Sequence, residues 1–251
     1  MSELRCDASS WSLRVDPERG GCITRLRWRG HPVLRDAVGQ GWLESAAFLT
    51  LPFFGRLPVG ALSDDGREVN LPANLAGEVQ PIHGLCWQRP WQVIEHEAGR
   101  LLLAREHDGN GWPWRYRSTQ AVTLAPNRFE LRIALTNLDD APMPAGIGWH
   151  PFFPAAGAQL KFAGRTEPAN AVQMDDIFAA PSRAPELRLP GVVAALDAPA
   201  PFSSWVIYRP AGAGFICVEP VTHAPGEFST RLAPGATLSA VVGISVRRAT
   251  Q

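Results

Sequence analysis

The sequence predicts an all-β fold, a large sandwich formed by one domain over residues 1–251, and three observations carry that reading. Short runs alternate apolar and polar residues with a period of two, as a strand with one buried face requires. Proline and glycine number 23 each among the 251 residues, well above the roughly 12% usual for the two together, and they interrupt the chain between those runs. Outside residues 41–49 no stretch carries a 3.6-residue apolar period, so the crossover helices of a parallel sheet are missing.

In chain order, WSLRV (11–15) and CITRLRW (22–28) flank the turn segment PERGG (17–21) and read as a hairpin. GWLESAAFL (41–49) has weak helical spacing and is the one helix candidate. YRSTQAVTL (116–124) and FELRIAL (129–135) follow. In the second of these Phe129, Leu131, Ile133 and Leu135 share one face, with Glu130 and Arg132 opposite. SWVIY (204–208), FICVE (215–219) and LSAVVGISV (238–246) complete the strands, and the Pro- and Ala-rich segment 179–201 reads as a long surface loop.

Hydrophobic residues make up 45% and charged residues 19% of the chain, an ordinary globular balance that excludes disorder. Lys plus Arg and Asp plus Glu each number 24. Without a basic excess, nucleic acid is not an expected partner. MSELRCDASS has no apolar signal core, and no window approaches the run of about 18 apolar residues that a membrane span needs. The expectation is a cytoplasmic protein with no membrane contact. Cys6, Cys22, Cys86 and Cys217 form no CxxC pair and are expected to be reduced; Cys86 and Cys217, in apolar company, read as small buried hydrophobes.

Ionisable residues embedded in apolar or Gly/Pro-rich stretches are the candidates for chemistry, since strand ends and loops carry function in a sandwich. Arg56 lies in LPFFGRLPVG (51–60), His83 in QPIHGLCWQRPW (80–91), His150 in GIGWHPFFP (146–154) and Glu219 in FICVEPVTHAPGEF (215–228). Each has a bland alternative: a snorkelling arginine, a core histidine held by a carbonyl, a structural ion pair. Glu219 is the strongest candidate, because a carboxylate ending an apolar strand costs desolvation unless it is paired or used. His83, His150 and Glu219 lack HxH or HExxH spacing, so no metal is expected, and no GxSxG elbow supplies a nucleophile. A general acid and base working without a cofactor fits best. Trp87, Trp91, Trp112 and Trp114 are candidate aromatic walls for a bound ligand, Trp87 foremost, with core packing as the alternative. His96 and His107, in polar surroundings, are expected at the surface.

At these residues the sequence resembles the aldose 1-epimerase (galactose mutarotase) family. FFGRL with Arg56 resembles the family's Asn-Arg motif, with Gly55 where the family often has Asn. IHG with His83 resembles its His-Gly motif, GWHPFF with His150 its His-Pro-Tyr/Phe-Phe motif, and VEPVTHAPGEF with Glu219 its catalytic glutamate motif. Asp175, in DDIF (175–178), is matched to the family's sugar-binding Asp-x-x-Phe. The resemblance implies an antiparallel β-supersandwich that interconverts the α and β anomers of a free sugar. It makes Glu219 the general base and His150 the general acid, with Arg56, His83 and Asp175 binding the substrate. A phosphorylated sugar is the alternative substrate, for which Arg89, Arg115 and Arg117 would have to converge; a non-catalytic sugar-binding protein is the alternative class. Opposite charges on Glu219 and His150 would hold each group in its working form near neutral pH.

Overall fold

The computed structural model describes residues 3–58, 63–64, 67–69, 71–228 and 230–249. Its first half runs β1 (Leu4–Arg5), β2 (Trp11–Asp16), β3 (Cys22–Trp28), β4 (His31–Pro32), β5 (Ala47–Thr50), β6 (Ser63–Asp64), β7 (Arg67–Glu68), β8 (Gln92–Glu97), β9 (Arg100–His107), β10 (Tyr116–Ala125) and β11 (Arg128–Asn137). Then come β12 (Met143–Ala145), β13 (Gly148–Pro154), β14 (Gln159–Phe162), β15 (Arg165–Pro168), β16 (Met174–Ala179), β17 (Glu186–Leu189), β18 (Val192–Asp197), β19 (Ser204–Arg209), β20 (Phe215–Val221), β21 (Thr230–Leu232) and β22 (Thr237–Arg248). The seven predicted strands all form.

Two nine-stranded antiparallel sheets result. One has the order β1-β2-β3-β5-β13-β20-β19-β16, with β4 added on β3; the other has the order β15-β14-β17-β18-β22-β11-β10-β9-β8. The alternation of FELRIAL is realised as read: Phe129, Leu131, Ile133 and Leu135 are buried while Arg132 is exposed. These side chains meet Leu13, Leu26, Leu49, Trp149, Phe153 and Val218 of the first sheet in a common core. Trp149 stacks on Phe129 across the layers, with ring centroids 6.0 Å apart. At roughly 1.5–3 kcal/mol for each large side chain removed from water, this interface is what holds the sheets together. No helix of the described chain is long and apolar enough to cross a membrane; all four cysteines are free and buried, Cys6 and Cys22 as well as the expected Cys86 and Cys217.

Three expectations are corrected. Residues 41–49 are not a helix: a single 3-10 turn, Trp42–Glu44, leads into β5. Both faces of β5 are covered, so Ala47, Phe48, Leu49 and Thr50 are all buried and show no alternation to betray a strand. Segment 179–201 is not simply a surface loop, because it contains the hairpin β17–β18, whose Leu187, Leu189, Val192, Ala194 and Leu196 enter the core. Its turn uses Gly191 at φ +84°. His107 is buried rather than exposed; its Nε2 lies 3.0 Å from the Trp112 carbonyl and its ring stacks on Tyr116. His96 is exposed, as expected.

Candidate active site

The pleat of β13 and β20 sends neighbouring residues to opposite faces of the first sheet. Trp149, Phe153, Ile216 and Val218 enter the core between the sheets, so His150, Phe152, Cys217 and Glu219 take the other face. The register that pairs Gly148 with Val221 and Phe152 with Cys217 sets His150 beside Glu219. His150 is also paired with Phe48 of β5, and Glu219 with Val206 of β19, which in turn pairs with Ile177 of β16. The adjacent row carries Phe152, Cys217, Tyr208 and Asp175. These rows floor a cavity of about 560 Å³, closed on its other side by loop residues that include Arg56, Glu78 and His83.

His150 and Glu219 are 5% and 1% exposed, with His150 Nε2 3.5 Å from Glu219 Oε1. His150 Nδ1 and Glu219 Oε2 are buried with no hydrogen-bond partner among the described residues. The imidazole packs against the rings of Phe48 and Phe152, each 4.7 Å away centroid to centroid, and those two rings are 6.1 Å from one another. The Arg35 guanidinium covers Phe152 from beyond at 3.8 Å, and Trp87 stacks behind Phe48 at 5.1 Å. This aromatic cluster, with Trp87 and Arg35 packed against it, restrains the His150 ring.

Burial drives His150 well below the usual histidine range, helped by His83 and Arg35. Burial likewise drives Glu219 well above the usual carboxyl range, with the charge of Asp175 adding to the rise. The mutual support expected from opposite charges is thus outweighed. Removing two ions from water costs several kcal/mol each, and a 3.5 Å contact is too long for a strong charge-assisted bond to offset it. Burial therefore favours a neutral imidazole beside a protonated carboxyl.

His83 reaches the cavity from a strained backbone, at φ +61°. Asn74 holds the segment on both sides: its Nδ2 donates to the carbonyls of Ile82 and Gly84, and its Oδ1 accepts from the Ile82 N–H. The Gly55 N–H donates to His83 Nδ1 at 3.3 Å, which leaves the ring proton on Nε2. Burial holds His83 down to about 3, so it stays neutral and serves as a donor. Arg56 is half exposed and forms a bidentate pair with Glu78, both contacts at 2.7 Å. Asp175 lines the cavity from β16, its carboxyl raised by burial and lowered in part by Arg56.

The fold thus brings together five of the six expected site residues. Trp87 is the correction. It is 1% exposed and packed behind Phe48 and His83, so it supports the wall without forming it. Trp91, Trp112 and Trp114 are likewise core residues; the aromatic faces of the cavity belong to Phe54, Phe152, Tyr208 and Phe215. His223 lies outside the lining and is structural: its Nε2 accepts from the Phe54 N–H and its Nδ1 donates to the Ala224 carbonyl. The glycines of GIGWHPFFP have close neighbours, since a Cβ on Gly146 would fall 2.0 Å from His223 Nε2 and one on Gly148 2.3 Å from Thr50 Oγ1. Sequence reasoning missed Arg35, Phe48, Asn74, Glu78 and Tyr208. Phe48 and Tyr208 follow from strand parity once the register is known, whereas nothing local marks Asn74 or Glu78. It also missed that His150, Cys217 and Glu219 place ligand atoms within 4.8 Å of one another.

The architecture is that of the galactose mutarotase-like β-sandwiches. A candidate aldose 1-epimerase from Escherichia coli K12 superposes with a TM-score of 0.88 at 22% identity, over 99% of each chain. A galactose mutarotase-like protein from Clostridium acetobutylicum does so with a TM-score of 0.83 at 14% identity, over 98% of this chain and 95% of that one. At such identities the likeness speaks for the fold. The family follows from the sequence: the aldose 1-epimerase family model matches residues 15–174, and the chain belongs to that family. Among curated proteins it is 31% identical over 148 residues to the uncharacterized Escherichia coli K12 protein YphB, covering 58% of this chain. The match spans about half the length of that relative, 50% of it.

Proposed function

We propose that the protein is an aldose 1-epimerase acting on a free, unphosphorylated aldose, with Glu219 as general base and His150 as general acid. The observation that carries this reading is the buried pair itself, side by side on adjacent strands and facing the cavity, with His150 Nδ1 and Glu219 Oε2 lacking a partner among the described residues. A buried, unpartnered carboxyl and imidazole are costly to keep and are the groups that proton transfer needs.

Glu219 takes the proton of the anomeric hydroxyl while His150 gives one to the ring oxygen. The bond from C1 to the ring oxygen breaks and C1 becomes an aldehyde. Rotation about C1–C2 and reclosure, with both transfers reversed, deliver the other anomer. The pair carries one proton throughout. Burial places that proton on Glu219; sugar hydroxyls donating to Glu219 Oε2 favour the carboxylate and shift it to His150. His83, as an Nε2–H donor, together with Arg56 and Asp175, orients the hydroxyls, and the faces of Phe152 and Tyr208 pack the ring C–H groups. No step calls for a cofactor.

A neutral sugar is favoured over a phosphorylated one by the charges on the cavity wall. Arg56 is the one cation among the lining side chains described, and Glu78 already occupies its fork; Asp175 and Asp176 add negative potential. Arg89, Arg115 and Arg117 are not among the lining residues. Anomer exchange by NMR, with freshly dissolved α-glucose, α-galactose, other aldoses and glucose 6-phosphate, tests the proposal. Acceleration of a neutral aldose is expected, with the 6-phosphate a poorer substrate. Sugar binding without acceleration of any aldose would point instead to a binding protein.

A further inference from the structure

We propose that His150, Cys217 and Glu219 form an inhibitory zinc site, in which a Zn²⁺ ion entering through the sugar cavity takes the thiolate, an imidazole nitrogen and the carboxylate as ligands.

Three kinds of metal-ligating atom meet here, all within 4.8 Å of one another and all on buried side chains. Tetrahedral zinc, with bonds of about 2.0–2.3 Å, places its ligand atoms roughly 3.3–3.7 Å apart, so closing on an ion needs movements of about an ångström. Glu219 is free to make them, because its Oε2 has no partner among the described residues, and His150 Nδ1 is likewise unpartnered. Cys217 lies two residues before Glu219 and so on the same face, within the apolar cluster that includes Phe48 and Phe152. Thiolate with imidazole selects Zn²⁺ over the hard cations Mg²⁺ and Ca²⁺, which prefer all-oxygen shells. Three protein ligands leave the fourth position open toward the cavity, where the anomeric end of a sugar is proposed to sit.

Binding releases two protons to solvent, the thiol proton of Cys217 and the single proton carried by Glu219 and His150. The ion then holds the electron pairs that proton transfer requires, so zinc and turnover exclude each other. The site rests on the geometry of these side chains and not on the proposed reaction, and its first test reads the metal alone.

Co²⁺ is titrated into the reduced full-length protein, with Cys22→Ala as a thiol control and Cys217→Ala and Cys217→Ser as site variants. One equivalent of Co²⁺ should produce thiolate-to-cobalt charge-transfer absorption that Zn²⁺ abolishes. Cys22→Ala should keep that band. Both Cys217 variants should lose it and bind Zn²⁺ more weakly by more than the roughly 10- to 100-fold cost of an outer-shell partner, while retaining a cooperative unfolding transition. Zn²⁺ should slow anomer exchange by the wild type, chelation should restore it, and the ratio of rates with and without zinc should rise toward one in Cys217→Ala. A stoichiometric band in a protein that exchanges no sugar would uphold the metal site and count against the enzyme. Absence of the band, or its persistence in either Cys217 variant, would overturn the site.

Discussion

On β13 and β20 two faces of one sheet, a single residue apart in sequence, do opposite things. Trp149, Phe153, Ile216 and Val218 lie in the core, packed among apolar side chains. His150 and Glu219 are as deeply buried but leave polar atoms without partners among the described residues. The first face carries stability; the second is held in place by it and gives some stability up. Equal burial therefore predicts unequal consequences of mutation, and four measurements can break or sharpen that division.

The largest expected effect is on the core face. Trp149→Ala removes an indole stacked on Phe129 and should destabilise the protein by about 3–5 kcal/mol in denaturant unfolding. A loss under about 1 kcal/mol would mean that the two layers are not tied together there.

Next is acid sensitivity, which belongs to the cavity face. The imidazole of His83 falls from its ordinary 6.5 to about 3 on folding. Between those values the unfolded chain binds the extra proton, so stability is complete above about 6.5 and declines as pH drops toward 3, by about 1.4 kcal/mol per pH unit for this group. His150 acts in the same sense. The raised Glu219 acts oppositely, contributing stability at acid pH that is lost as pH rises past the ordinary carboxyl range. His83→Gln should flatten the acid slope by about one group; an unchanged slope would place a charged imidazole in the cavity.

Asp175→Asn removes a charged acceptor from the wall and should raise KM roughly tenfold or more, with kcat changing less. An equal fall in kcat with KM unchanged would move Asp175 into the proton-transfer machinery. The smallest effect is Glu78→Gln, which releases Arg56: stability should change by less than about 1 kcal/mol, and affinity for a sugar phosphate should improve. Unchanged discrimination against the phosphate would show that the fork of Arg56 is not what excludes it.

The core face was the legible one. Period-2 runs such as FELRIAL announce their buried side directly, and the strands they predict all form. Strands covered on both faces, such as β5, carry no alternation and were read as helical; the hairpin β17–β18 hides its period among prolines and alanines. On the cavity face, ionisable residues in apolar company and the family motifs marked Arg56, His83, His150 and Glu219. What could not be read was cross-strand register: that Phe48 would stack on His150, or that Cys217 would stand beside the pair, depends on pairings between segments far apart in the chain. Trp87 shows the converse, since proximity to His83 in sequence put it on the wall and packing put it behind. The charge states of the pair were misread for a related reason, because burial outweighs the mutual attraction that sequence chemistry suggests.

The most direct measurement is anomer exchange and thermal unfolding on one preparation of Glu219→Gln. The account predicts that exchange falls by roughly 10²- to 10⁴-fold, the share of one proton-transfer group, while the unfolding temperature holds or rises because a buried acid has been replaced by a neutral isostere. Exchange at the wild-type rate, or a loss of activity matched by a collapse in stability, would contradict the division of labour between the two faces.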